Sequence, residues 1–109
     1  GFRSIDVMND ALDNHKTDLI GMGRPFIIDP DFPNKLLSGA INKAPAVEQG
    51  FPPADTLPRG AVLNWFCTQL ALLGKTGESD PALPIIEGHE QYLQQIKNAT
   101  DDLVTARSS

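Results

Sequence analysis

The stretch DLIGMGRPFIIDPDFPNKLLSG, residues 18–39, decides the fold predicted for this chain. Its first six residues form a brief apolar run bounded by turn formers, which is typical of a short buried strand. Pro25 ends that run because it cannot donate a backbone hydrogen bond. Asp29-Pro30-Asp31 then predicts a turn, and residues 32–38 predict a short helix that ends at Gly39.

The residues before this stretch predict a helix and the end of another strand. Over residues 4–16, Ile5, Met8 and Leu12 recur at helical spacing, and Ser4 suits the N-cap. The resulting order of strand end, helix, strand, loop and helix is that of a parallel α/β fold. A whole (β/α)8 barrel takes roughly 250 residues. The 109 residues therefore cannot form a whole barrel.

The second half of the chain predicts helices. Residues 56–73 carry an apolar stripe of Val62, Phe66, Leu70 and Leu73, and a last helix is expected from Ile85 through Ala99 or Val104. Residues 107–109 should fray. The predicted domains are residues 1–39 as an α/β segment, 40–55 as an irregular connector rich in Pro and Gly, and 56–109 as a helical C-terminal extension.

Composition narrows the classes of partner. The chain has 9 Lys and Arg against 14 Asp and Glu, a net charge of −5, so nucleic acid is not an expected partner. No apolar run approaches the roughly 20 residues of a membrane span. The single Cys67 excludes an internal disulfide and a cysteine-based zinc cluster. With no signal-peptide pattern, a cytoplasmic location is expected.

Two predicted strand ends combine glycine with arginine. They are Gly1-Phe2-Arg3 and Gly23-Arg24, and one predicted helix separates them. Backbone N–H groups beside a guanidinium favour an anion, and arginine can donate two parallel bonds to a phosphate. In TIM barrels a phosphate site is often built by the loops after strands seven and eight. The alternative is that Gly23 and Arg24 form only a turn and a surface charge.

The run GFRSIDVMNDALDNHKTDLIGMGRPFIIDPDFPNKLLSG, residues 1–39, resembles the end of the barrel in the Old Yellow Enzyme family of NADH:flavin oxidoreductases. That resemblance covers the first third of the chain, and beyond it the chain resembles only the variable C-terminal extension of the family. It implies the C-terminal portion of a (β/α)8 TIM barrel, with residues 1–39 as the end of the barrel, followed by a mostly helical C-terminal extension. It also implies that FMN is the cofactor, and that the FMN phosphate is held by the backbone of Gly1, Phe2, Gly23 and Arg24. The Arg24 side chain would add positive charge beside it.

The resemblance further implies an activity for an intact enzyme. Hydride would pass from NAD(P)H through FMN to the β-carbon of an activated alkene. The segment of the family that carries the other FMN contacts, the substrate-binding pair and the proton-donating tyrosine is absent from these residues. We therefore assign no catalytic residue and expect the chain to be inactive alone. It would be a fragment or a truncated gene product, with FMN and the remainder of the barrel, or another copy of the chain, as partners.

A small helical interaction or oligomerisation module is the alternative function. Its binding surface would be the apolar stripe of residues 56–73, and barrel strands without neighbours would favour a homo-oligomer. Trp65 and Phe66 are adjacent, so one of them is expected to be exposed.

Other chemically capable residues are expected to be structural. His15 and His89 are interpreted as solvated helix histidines, because neither has a histidine or cysteine three or four residues away. Cys67 is interpreted as a packed thiol rather than a nucleophile. We interpret Asp29, Asp31 and Asp80 as turn residues rather than a cation site. No metal site is therefore assigned.

Overall fold

The computed structural model describes residues 1–108 and divides the chain into two compact units. Unit 1 is Gly1–Gln49 and unit 2 is Gly50–Ser109. The division falls inside the segment 40–55 that the sequence indicates as a connector. The three-part domain organisation remains a prediction.

The predicted α/β fold is wrong. Residues 1–108 contain no strand, sheet or barrel, and about 62% of the structure is helical. In place of a strand at residues 18–23, the described chain has a single antiparallel bridge between Ser4 and Lys43. A strand needs hydrogen bonds from a neighbouring strand, and this segment has none beside it. Leu19, expected in a buried strand, is 84% exposed.

Unit 1 contains three helices: α1 (Ile5–Asp13), α2 (Arg24–Ile28) and α3 (Phe32–Leu37). The helical spacing in α1 is confirmed, since Met8 and Ala11 are buried on one face. Helix α2 occupies the place of a predicted loop, with Pro25 in its first turn, where its missing N–H costs nothing. Helix α3 agrees with the sequence prediction, and Gly39 follows it at φ +80°.

The core of unit 1 is a small apolar cluster. Met8, Phe32 and Leu36 are buried together with Ala44, and further side chains cover this group partly. Two backbone hydrogen bonds tie the start of the chain to the segment after α3, from Ile5 N–H to the Asn42 carbonyl (3.0 Å) and from Ala44 N–H to the Arg3 carbonyl (2.6 Å). The partly buried side chains are Phe2, Ile5, Ile20, Met22 and Ile41.

The second half of the chain is helical, as predicted, but its boundaries differ. Two short 3-10 helices, Val47–Gly50 and Ala54–Thr56, lie near the unit boundary, followed by α4 (Ala61–Thr76) and α5 (Ile85–Ser108). Gly60 and Gly77, at φ +78° and +81°, bound α4 in the left-handed conformation that glycine adopts without strain. Arg107 and Ser108 extend α5, and Ser109, the end of the predicted frayed tail, lies outside the described residues.

Trp65 and Phe66 are both buried, so the expectation that one would be exposed is wrong. The segment between α4 and α5 folds back along α4 and covers the indole. Trp65 donates its indole N–H to the Leu83 carbonyl (2.8 Å), and the Phe51 ring lies 5.0 Å from the indole. Trp65 therefore faces the segment between α4 and α5, and Phe66 packs beside it in the same core.

Candidate functional site

The two predicted phosphate-binding segments of unit 1 approach one apolar cluster. Phe2 from the first segment and Met22 from the second both pack against the core around Met8 and Phe32. Gly1 and Gly23 are exposed beside them. The fold of unit 1 thus brings the two segments together, although neither is the end of a strand.

Gly23 shows no conformational need for glycine. Its φ is −113°, and a Cβ built on it would meet no atom within 4 Å. The backbone there is open to solvent, and Arg24 begins the five-residue helix α2 with an exposed side chain. These features leave room for a ligand but do not themselves identify one.

Arg3 is engaged inside unit 1. Its guanidinium donates from Nη2 to Glu48 Oε1 (2.7 Å) and from Nη1 to the Phe2 carbonyl (2.9 Å). The two side chains are only 15% and 23% exposed. A guanidinium already paired with a carboxylate is a weak ligand for phosphate.

The Asp-Pro-Asp segment forms a turn held by an ion pair. Asp29 accepts hydrogen bonds from the Lys35 ammonium and from the Asp31 backbone N–H. The Lys35 hydrogen bond lowers the pKa of the Asp29 carboxyl, partial burial opposes that change, and the Asp31 N–H adds to it. The same hydrogen bond raises the pKa of Lys35. No three His, Cys, Asp or Glu side chains among residues 1–108 come together as metal ligands.

Unit 1 contains an open hollow of about 240 Å³. Its walls are hydrocarbon and aromatic side chains, so it suits an apolar group rather than a phosphate. Leu37, at the rim, is 85% exposed. Among the other lining residues are Ile5, Ile20, Met22, Phe26 and Leu36.

The core of unit 2 is closed by hydrogen bonds from buried polar side chains of α4. Thr68 Oγ1 donates to the Gly88 carbonyl (2.6 Å). Gln69 donates to the Asp80 carbonyl and accepts from the Asp80 N–H, both at 2.7 Å. Because Thr68 and Gln69 make these hydrogen bonds within the core, we do not assign either side chain to a binding site.

The two histidines differ. His15 is exposed and follows α1 at a left-handed φ of +57°. His89 is only 7% exposed, and its Nδ1 lies 3.0 Å from the Asn64 amide nitrogen. The interpretation of His89 as a solvated histidine is therefore wrong. With the amide as donor, Nδ1 is the acceptor, and the ring holds its proton on Nε2.

Both helices of unit 2 also present apolar side chains to solvent. On α4, Leu63 and Leu70 are more than half exposed, whereas Phe66 of the predicted stripe is buried. The predicted stripe thus divides into a packed side and an exposed side. On α5, five large apolar residues are between 39% and 57% exposed: Ile86, Leu93, Ile96, Leu103 and Val104. Cys67, on α4 between the two exposed leucines, is a half-buried free thiol.

None of the described helices combines the length and apolar character needed to cross a membrane. Comparison of the chain with family models, with curated proteins and with solved structures finds no match. The assignment of a function therefore depends on the surfaces described above.

Proposed function

We propose that this chain is a helical interaction and oligomerisation module that binds another copy of itself through exposed apolar side chains of unit 2. One observation carries the proposal: α5 is 24 residues long, yet its buried residues are Ile85, Gly88 and His89, all in its first two turns. The rest of the helix presents a half-exposed apolar stripe. Apolar surface of this kind is stabilised when another protein covers it.

The length of α5 supports the same function. An isolated amphipathic helix is marginal in water, and most helical stability in proteins comes from packing of its apolar face. Beyond Tyr92, which is half-buried, every described residue of α5 is exposed. A binding partner would supply the missing packing.

The test is the molar mass of the purified chain, measured by size-exclusion chromatography with light scattering over a wide range of concentrations. We expect assemblies of two or more chains. Replacing Ile96 and Leu103 together by serine should shift the protein to a monomer while circular dichroism still reports a helical protein. The matched control replaces Gln91 and Asn98 by serine. These two polar residues have the same spacing but line the groove between α4 and α5, so the mass should be unchanged. A monomer at every concentration for the unaltered chain would overturn the proposal.

A second proposal is that the chain contributes to the FMN phosphate site of an NAD(P)H-dependent oxidoreductase of the ene-reductase type. The resemblance of residues 1–39 supports it, as does the packing of Phe2 and Met22 against one cluster. In such an enzyme the backbone of Gly23 and Arg24 would bind the phosphate. The redox residues would come from elsewhere.

This second proposal is tested by titrating the chain with FMN and with riboflavin, which lacks the phosphate. We expect weak quenching of FMN fluorescence that is lost on dialysis, weaker quenching of riboflavin, and a smaller FMN effect for Arg24→Gln. Equal responses to the two flavins would contradict a phosphate site. A yellow complex that survives dialysis would contradict the need for contacts from another segment.

A further inference from the structure

The exposed stripe of α5 has the spacing of a coiled-coil seam. Ile86, Leu93, Ile96 and Leu103 follow one another at intervals of seven, three and seven residues. These intervals place them at the alternating three- and four-residue positions of a heptad repeat. His89 and Thr100 occupy the two remaining positions of the seam between Ile86 and Leu103. The repeat therefore runs through most of the helix.

The seam borders the side of α5 that packs on α4. Gly88 contacts the Trp65 indole so closely that a Cβ on it would lie 2.4 Å from Cδ1. Gln95 lines the groove between the two helices. At about 100° per residue, Leu93 is turned by roughly 140° from Gly88, whereas Ile96 and Leu103 are turned by only about 80° and 60°. Packing on α4 buries His89 beside Asn64 but leaves the four large apolar residues of the seam 39–54% exposed.

We propose that α5 pairs in antiparallel orientation with α5 of a second copy of this chain. Leu93 would lie opposite Ile96 of the partner subunit, and Ile86 opposite Leu103 of the partner subunit. This inference rests on the proposed function and specifies which helix pairs and in which orientation. Each large apolar residue then meets another, while Thr100 faces the region of the partner subunit's His89.

Charge distinguishes this arrangement from a parallel one. Glu90 and Lys97 occupy equivalent positions flanking the seam, one heptad apart. In the antiparallel pair, Glu90 meets Lys97 of the partner subunit, and symmetry repeats this ion pair. In a parallel pair, Glu90 would instead meet the partner subunit's Ile85, and Lys97 the partner subunit's Tyr92. Two opposite-charge contacts therefore favour the antiparallel orientation.

Lys97 has a partner within its own helix. Its ammonium donates to Asp101 Oδ2 (2.6 Å). Both side chains are more than 60% exposed, and an ammonium has three donors. Lys97 can therefore keep this bond and also contact a carboxylate of the second copy.

The orientation is tested by site-directed crosslinking. Ile86→Cys and Leu103→Cys are each made in a chain that carries Cys67→Ala, so that each protein has one thiol. We expect a short bis-maleimide to link the two variants to each other when they are mixed, and to link neither to itself. Self-linking of each variant would indicate a parallel pair and overturn the inference. An assembly that persists without any crosslink would overturn it as well but leave the proposed function intact, whereas a monomer would overturn both.

A second test uses charge. Glu90→Lys and Lys97→Glu, made in separate chains, each place like charges across the antiparallel pair. We expect each variant to self-associate less than the unaltered chain, and a mixture of the two to form a heterodimer roughly fivefold more tightly than either homodimer. Raising the salt concentration should weaken this preference. Equal affinities for all three pairs would contradict the proposed register.

Discussion

The two units stabilise their cores in different ways. In unit 2, Trp65, Thr68 and Gln69 each donate a hydrogen bond to a named carbonyl, and the core beneath them is closed. In unit 1 the core is an apolar cluster beside an open hollow, and its ion pairs, such as Arg3 with Glu48, lie at the periphery. Buried polar contacts specify one packing arrangement, because an unmade bond there is costly. Changes in the core of unit 2 should therefore have the largest effects.

The largest expected effect is that of Trp65→Ala. The indole is fully buried and donates to the Leu83 carbonyl. Its removal leaves a cavity and an unsatisfied carbonyl, so we expect the free energy of unfolding of unit 2 to fall by about 3–5 kcal/mol. Urea unfolding followed by circular dichroism measures the change. Leu70→Ala, at an exposed position of the same helix, is the control and should change stability by less than about 1 kcal/mol. Equal effects of the two substitutions would refute the description of this core.

The next largest effect concerns two glycines within helices. In Gly88→Ala the new Cβ would lie 2.4 Å from Trp65 Cδ1, so a buried ring must move, and we expect a loss of about 1–3 kcal/mol. In Gly74→Ala the Cβ meets nothing within 4 Å, so the higher helix propensity of alanine should stabilise α4 by about 0.5–1 kcal/mol. The same substitution thus has opposite signs at the two positions. Thermal unfolding of both variants measures this, and two changes of the same sign would contradict the close helix contact.

Helices were predictable from the sequence because their hydrogen bonds are local. The spacing of Ile5, Met8 and Leu12 indicated α1. The predicted helices were displaced only at their ends, whereas the short helix α2 was predicted as a loop. The run at residues 18–23 was predicted as a strand, whose hydrogen bonds must come from a distant segment. A pattern within six residues cannot show whether that segment exists. Residues 1–108 contain no strand that could pair with this run, and Leu19 is therefore exposed.

The candidate site was predictable only in part. Periodicity indicated an apolar stripe on α4, but it could not show that Phe66 would be buried and Leu70 exposed, because this depends on where the segment before α5 returns. The contact of His89 with Asn64 links residues 25 positions apart, and no local signal indicates it. The heptad spacing on α5 was readable in the sequence. The exposure of these apolar residues on α5 depends on where α4 packs, which the sequence does not show.

The third prediction concerns the ion pair at the periphery of unit 1. In Glu48→Gln the largely buried Arg3 guanidinium loses its carboxylate, so we expect unit 1 to lose about 1–2 kcal/mol. Asp101→Asn removes the carboxylate of the exposed pair with Lys97 and should change stability by less than about 0.5 kcal/mol. Hydrogen exchange read separately for residues 1–49 and 61–108 assigns each effect to its segment. A larger effect of Asp101→Asn would contradict the difference in burial.

The smallest expected effect is the pH dependence of the Asp29–Lys35 pair. The pKa of Asp29 is lowered from 3.8, so its contribution is present above that pH and is lost as the pH falls through the folded-state value. The pKa of Lys35 is raised from 10.5, so its contribution is present below that pH and is lost as the pH rises further. Asp29→Asn keeps an oxygen for the Asp31 N–H but removes the charge. Urea unfolding should show the variant slightly less stable at pH 7 and equal to the unaltered chain only once the pH lies below the folded-state pKa of Asp29. A difference that persisted in acid would mean that the carboxylate charge has no part in stabilising this turn.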